Sequence, residues 1–183
     1  MRLLLLRHAQ SRPDHTLPEA DWPLSERGRE QAQQLIEVLA AQHPDQLFSS
    51  PFRRAFDTVA PFALWSKRAV GVEPAFAECT FRTGHVPDWP APIARAWADR
   101  THADVGCESA DACQTRIVAG VDSLVRRHPR RRLLVCSHGN AVGLFLNAID
   151  PTFGFAQWQA MTMPALYEVD VPARNFRAIP LPF

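Results

Sequence analysis

At 183 residues the chain has room for one ordinary domain with a real core and too little for two. Hydrophobic residues at 46% and charged ones at 21% exclude a disordered or fibrous chain. A formal net charge of +1, with Lys67 the only lysine, gives the whole molecule no bulk attraction to nucleic acid or anionic membrane.

The opening MRLLLLRHAQ holds four leucines before an Arg-His pair, too short for a signal-peptide core or a membrane span. Leu3 to Leu6 reads as a short strand buried on both faces. A polar, proline-bearing loop follows from Ser11 to Pro23. A helix is then expected over roughly Glu26 to Gln42, because Ala32, Leu35, Ile36 and Leu39 recur at helical spacing and Pro44 lies just beyond. Gln46 to Ser49 reads as a second strand. Ser50-Pro51 reads as an N-cap with Pro at the first helical position, opening a helix with Arg53 and Arg54 near its first turn. Pro61 is expected to break or kink it. Ala69 to Val72 is a further, weaker strand.

Glu73 to Cys107 is irregular, with several prolines and the tryptophans Trp89 and Trp97, the latter two read as core residues. It reads either as a lid or insertion facing substrate or as plain connecting structure. From Ser109 to His128 the pattern is helical, with Cys113, Ile117, Val121 and Leu124 on one face. Asp111 in its first turn and Arg126, Arg127 and His128 in its last suit the helix dipole. Leu133 to Cys136 is a second strongly apolar strand, then Ser137-His138-Gly139 and a helix over Asn140 to Ile149. A final strand is expected over Ala165 to Val171. Strands alternating with helices imply an α/β three-layer sandwich, its largely parallel sheet flanked by helices, formed by residues 1–183 as a single domain. Cys79, Cys107, Cys113 and Cys136 show neither a C-x-x-C pair nor metal-finger spacing, so reduced thiols in a cytoplasmic protein are expected.

Two of these strands run into a histidine: Leu3–Leu6 into Arg7-His8, and Leu133–Cys136 into Ser137-His138. In open α/β sheets ligands sit beyond the carboxyl ends of the strands. A metal site would need HxH, HExxH or carboxylate-His spacing, which neither histidine has, and a guanidinium beside His8 opposes a cation. The same guanidinium suits an anion. Arg7, with Arg53 or Arg54 at a helix start, would clamp phosphoryl oxygens, and Gly139 would admit an anion close to the backbone. The basic run Arg126-Arg127-His128-Pro129-Arg130-Arg131-Arg132 has no aromatic stacking partners and reads as a helix end and solvated turn rather than a nucleic-acid site. His15, His43, His85, His102 and His128 read as surface or loop residues.

Four segments carry a family resemblance. Leu6-Arg7-His8-Ala9-Gln10-Ser11 resembles the RHG signature of the histidine phosphatase superfamily, which includes cofactor-dependent phosphoglycerate mutases. Ala9 stands where that signature commonly has Gly. Pro23-Leu24-Ser25-Glu26-Arg27-Gly28 with Gln31-Ala32 resembles the segment opening the family's first helix. Ser49-Ser50-Pro51-Phe52-Arg53-Arg54-Ala55 with Thr58 resembles its S-x-x-x-R-A-x-x-T segment, and Cys136-Ser137-His138-Gly139-Asn140 its second histidine motif. The resemblance implies a phosphoglycerate mutase-like fold. It also implies a phosphatase, without metal or cofactor, that forms a covalent phosphohistidine on His8. Arg7, Arg54 and His138 would hold the phosphoryl group, Arg54 rather than Arg53 because it precedes Ala in the matched segment. Glu78 would be the general acid, with Glu73 or Asp88 as stand-ins, and Arg82 and His85 lie near it in sequence. The expected partner is a small phosphorylated substrate (a phosphomonoester or a phosphohistidine), with no nucleic acid and no membrane, and a monomer or homodimer acts. The alternatives are mutase-type phosphoryl transfer and a phosphate-binding domain without turnover.

Overall fold

The computed structural model describes residues 2–81 and 90–183. Its centre is β1 (Arg2–Arg7), whose four leucines are all fully buried. The other strands are β2 (Gln46–Ser49), β3 (Val70–Val72), β4 (Leu133–Ser137), β5 (Ala165–Asp170) and β6 (Asn175–Ile179). They form one sheet in the order β3-β2-β4-β1-β5-β6. β1 to β4 run parallel to one another, β5 joins β1 antiparallel at one side, and β6 pairs antiparallel with β5 beyond it.

Strand alternation explains the three layers, because successive side chains point to opposite faces. Leu3, Leu5, Leu133 and Val135 pack on one face with Cys113, Ile117, Val121 and Leu124 of α4 (Ala110–Arg127) and with Leu144 and Phe145 of α5 (Gly139–Ile149). Leu4, Leu6, Leu134 and Cys136 pack on the other with Leu35 and Leu39 of α1 (Glu26–Ala41) and Val59 and Phe62 of α2 (Arg53–Ser66). A strand so placed has no polar face, which is why these runs read as continuous apolar sequence.

The local signals hold in most places. Ser25 caps α1 by accepting the Gly28 N–H, and Ser109 caps α4 by accepting the Ala112 N–H. At α2 one expectation fails and another is narrowed. Ser50 does not cap it; the helix begins at Arg53 after Phe52, and the Ser50 hydroxyl is engaged elsewhere. Nor does Pro61 end it, since the helix runs on to Ser66. Pro61 forfeits one backbone rung, but Val59, Phe62 and Ala63 are buried on either side of it, so packing holds the helix through the gap.

Three short elements are additional: α3 (Pro90–Ala98), α6 (Phe155–Gln159) and β6. The cysteine expectation is corrected as well. Cys79 and Cys113 form a disulfide, whereas Cys107 and Cys136 are not disulfide-bonded. Among the described residues no helix is long and apolar enough to cross a membrane.

Candidate active site

Parallel pairing of β1 with β4 sets Arg7 opposite Ser137, so the residues that follow the two strands emerge at the same sheet edge. The His8 N–H donates to the Ser137 carbonyl at 3.0 Å. The His8 and His138 rings meet edge-on with centroids 5.1 Å apart. Both are buried.

His8 Nδ1 lies 2.7 Å from the Ala9 carbonyl. A carbonyl can only accept, so the ring proton is assigned to Nδ1 and Nε2 keeps its lone pair. Arg54 Nε donates to that Nε2 at 3.2 Å. Burial, reinforced by the Arg54 and Arg7 charges and partly offset by the Ala9 carbonyl, pushes the His8 pKa down to about 3. The ring is therefore neutral at neutral pH. Ala9 keeps the backbone approach open: it is fully buried, and its N–H donates to Thr58 Oγ1, whose own hydroxyl donates to the Arg54 carbonyl.

Arg54 is buried, and its three nitrogens are all engaged. Besides Nε on His8, Nη1 donates to the Glu19 carbonyl at 2.7 Å and Nη2 to Glu19 Oε1 at 3.2 Å. The Phe52 and Trp22 rings flank the guanidinium, 4.9 and 5.9 Å from it. Arg7 reaches across to the Met161 and Thr162 carbonyls through Nη1, and its Nε is buried with no hydrogen-bond partner. Gly139 lies against it: a Cβ there would come within 3.2 Å of the guanidinium.

His138 is fully buried at the N-terminus of α5. Its Nε2 lies 2.7 Å from Ser50 Oγ, and its Nδ1 is buried without a partner. Burial first, then Arg54, His8, Arg7 and Arg116, hold its pKa well below the usual histidine value.

Glu78 comes from the loop after a 3-10 turn (Pro74–Phe76) that is pinned to β4 by the Ser137 hydroxyl on the Phe76 carbonyl. Its Oε1 accepts the Cys79 and Ala141 N–H groups at 2.8 and 3.1 Å, and its Oε2 accepts the Asn140 N–H at 3.3 Å. The carboxyl thus sits on the first turn of α5. Burial raises its pKa, against the lowering pull of those N–H groups and of Arg54. The result is two guanidiniums, two neutral imidazoles and one carboxyl whose pKa burial raises, around the ends of β1 and β4. Such a constellation binds an oxyanion and offers a nucleophile and a proton donor beside it.

The other candidates lie elsewhere. Arg53 is exposed and pairs with Asp57 on its own helix. The Glu73 carboxylate pairs with Arg127. Arg131 pairs with Asp45, and Arg132 with Glu168, so three arginines of the basic run, Arg127 included, face neighbouring acids. His15 stacks edge-on with Trp22, and His128 packs on Phe48. Trp97 packs against the larger core cluster. Arg82, His85, Asp88 and Trp89 fall outside the described residues. Three participants escaped the sequence reading: Glu19, which holds Arg54; Ser50, which holds His138; and Thr58, which ties Ala9 to Arg54. Thr58 is visible in the motif without a role, Ser50 is read there as a helix cap, and Glu19 sits in a loop with no periodicity to mark it. Among the described residues one group has metal-ligand proximity, Cys79, Glu108 and Cys113, but its two sulfurs are joined and its carboxylate pairs with Arg116.

Comparison with known proteins places this geometry in context. Residues 3–172 match the family model described as histidine phosphatase superfamily, branch 1. Glucosyl-3-phosphoglycerate phosphatase of Mycobacterium tuberculosis is 31% identical over 87% of this chain and 79% of its own length. Phosphoserine phosphatase 1 of Hydrogenobacter thermophilus is 26% identical over 75% of this chain and 71% of its own. The solved structure of a mycobacterial glucosyl-3-phosphoglycerate phosphatase in complex with VO3 superposes with a TM-score of 0.77 at 28% identity, covering 97% of this chain and 96% of that one.

Proposed function

The chain belongs to the histidine phosphatase superfamily, and from that premise we propose that it is a metal-independent phosphatase hydrolysing a small phosphomonoester through a phosphohistidine on His8. The observation that carries the reading is the His8 ring. Its proton is directed to the Ala9 carbonyl, so the opposite nitrogen keeps its lone pair, which accepts from Arg54 Nε.

In this mechanism the lone pair of His8 Nε2 attacks phosphorus and the bond to the leaving oxygen breaks. Glu78, whose pKa burial raises toward the protonated form, gives its proton to that oxygen. Arg7, Arg54 and His138 hold the remaining oxygens and stabilise the charge spread over them. A neutral His138 suffices for this. In this mechanism the Ser50 hydroxyl is assigned as the donor to its Nε2, which leaves the proton on Nδ1, the atom without a protein partner. In the second half Glu78 takes a proton from water, the water oxygen bonds to phosphorus, and His8 leaves as the neutral imidazole. No step calls on a metal.

A small pocket lined by Glu19, Thr80, Phe81, Pro92, Ile93 and Asn140 opens beside Glu78 and would receive the leaving group. The relatives' named substrates are small phosphorylated metabolites, and the same class is proposed here. The same reading has the chain act in the cytoplasm as one domain, monomeric or homodimeric.

The test is phosphate release from an aryl phosphate, with chelator present, by wild type and His8→Ala. Wild-type turnover that resists chelator and disappears in His8→Ala is expected. Turnover surviving in His8→Ala would sink the mechanism, and turnover lost to chelator would sink its metal independence. Glucosyl-3-phosphoglycerate and phosphoserine head the panel of natural esters to follow.

A further inference from the structure

The disulfide bridges residues 34 apart in sequence, with Cα atoms 5.8 Å apart, and it fastens the segment bearing Glu78 to α4. Cys79 directly follows Glu78 and supplies one of the N–H groups that hold its carboxylate. The two sulfurs are not equivalent. Cys113 is fully buried, and Arg116 Nη2 donates toward its Sγ at 3.6 Å. Cys79 is 6% exposed and lines the pocket beside Glu78.

Thiol–disulfide exchange favours attack on the reachable sulfur and departure of the thiolate that is better stabilised. Here both preferences agree. Cys79, which lines the pocket, is the less buried sulfur and the one an incoming thiolate would approach, and the sulfur it displaces, Cys113, leaves beside a fixed guanidinium. Arg116 is fixed because it also donates to the Ala75 and Ala77 carbonyls and pairs with Glu108. The Glu108 carboxylate lies within 4.8 Å of both sulfurs, and that ion pair offsets its charge.

We propose that Cys79 is an exchange site for cellular thiols of the glutathione or dithiol class, and that opening the Cys79–Cys113 bond withdraws the support that positions Glu78. This rests on the reading of Glu78 as general acid. In the first step the external thiolate bonds to Cys79 Sγ, and the electron pair of the old bond goes to Cys113 Sγ, which is then protonated. A second external thiol displaces Cys79 as a thiolate. The external pair ends as a disulfide, oxidised by the two electrons that reduced the protein. Disulfide bonds exposed to a reducing compartment are commonly of this transient kind.

The full chain, purified without reductant and alkylated, should give the linked Cys79–Cys113 peptide on mass mapping. Limiting reduced glutathione should leave its adduct on Cys79. Dithiothreitol should lower kcat on an aryl phosphate about tenfold with KM nearly unchanged, a part of the roughly 10²–10⁴ that a general acid supplies. Cys113→Ser should show the lowered kcat in either redox state. In Glu78→Gln, already without its acid, reduction should change kcat by less than about twofold, because the effect runs through that carboxyl.

An unlinked pair, or an adduct on Cys113, would overturn the exchange site. Equal kcat in both redox states, or the same fall in Glu78→Gln as in wild type, would overturn the coupling. If Glu78→Gln keeps full activity, the acid assignment fails, while the adduct map still decides the exchange site.

Discussion

Arg53 and Arg54 are chain neighbours at the start of α2, but about 100° of helix rotation separates them. That rotation puts one guanidinium in water beside Asp57 and the other, 4% exposed, on His8 and Glu19. Arg54→Ala should therefore lower kcat by about 10²–10³, the usual loss for one donor to a developing oxyanion. Arg53→Ala should leave kcat within about twofold and stability within about 0.5 kcal/mol, as expected for an exposed pair. Steady-state assay and urea unfolding of the two variants check both. The choice between these arginines was legible only through the motif, since the helix start had been placed at Pro51 and the facing direction of each side chain follows from that start. The pH dependence follows from two groups. His8 must be neutral, and its pKa of about 3 leaves it so until strongly acid pH. Glu78 must carry its proton, and its raised pKa keeps it protonated above the ordinary carboxyl range. Activity should thus persist through mildly acidic pH and fall as pH rises through the Glu78 pKa, with Glu78→Gln losing that alkaline limb in a kcat/KM profile. Stability runs the other way for His8. Its unfolded form binds a proton near pH 6.5 and its folded form only near 3, so His8 makes the protein less stable as pH falls between those values. His8→Asn should flatten that part of a melting-temperature curve.

Elements reach the site through close backbone approaches. α1 crosses the loop after His8 at Gly28, where a Cβ would lie 2.0 Å from the Gln10 carbonyl oxygen. The contact is backbone to backbone, so no side chain can swing away. The same loop is held by the Ser25 N–H on the Gln10 carbonyl and the Gln10 N–H on Gln31. Gly28→Ala should destabilise the fold by about 1–3 kcal/mol, the typical cost of overpacking, and lower kcat with it. A chemical denaturation curve and an aryl phosphate assay on one preparation would show whether both fall. Helices and strands with long periodic faces were readable, among them α1, α4, β1 and β4, because burial on a fixed period leaves its mark in sequence. α6 is too short to show a period, and β6 is a largely exposed edge strand paired only with β5. α3 opens with Pro90 and Pro92, which read as breakers but are tolerated in a first turn whose N–H groups have no helical partners anyway. The disulfide was invisible for another reason: 34 residues separate its cysteines, and only the packing of the Glu78 loop on α4 brings them together.

At the scale of the whole molecule, the end of the sheet away from the histidines is tied by charge. Glu168 on β5, its side chain 6% exposed, accepts from Arg2 on β1, Arg132 before β4 and Arg177 on β6. Burial alone would raise its pKa, but Arg177, Arg132 and Arg2 together hold it below the ordinary value. Its contribution is therefore present above the unfolded carboxyl pKa of about 4.3 and is lost as pH falls through the lower folded value. Glu168→Gln should cost about 1–2 kcal/mol at neutral pH and progressively less in acid, read from urea midpoints at each pH. Within the same sheet, the two histidines depend on a pairing between strands some 130 residues apart. Arg7 and His8, Arg54 and Glu78 lie before the exposed turn at Pro129–Arg131, and His138 lies after it. Cutting the chain at that turn would give two fragments, one with the nucleophile and one without, and neither with a complete phosphate cradle. Turnover by the mixture would then announce that β1 and β4 had found each other in register, which makes this fold a natural scaffold for a split enzyme.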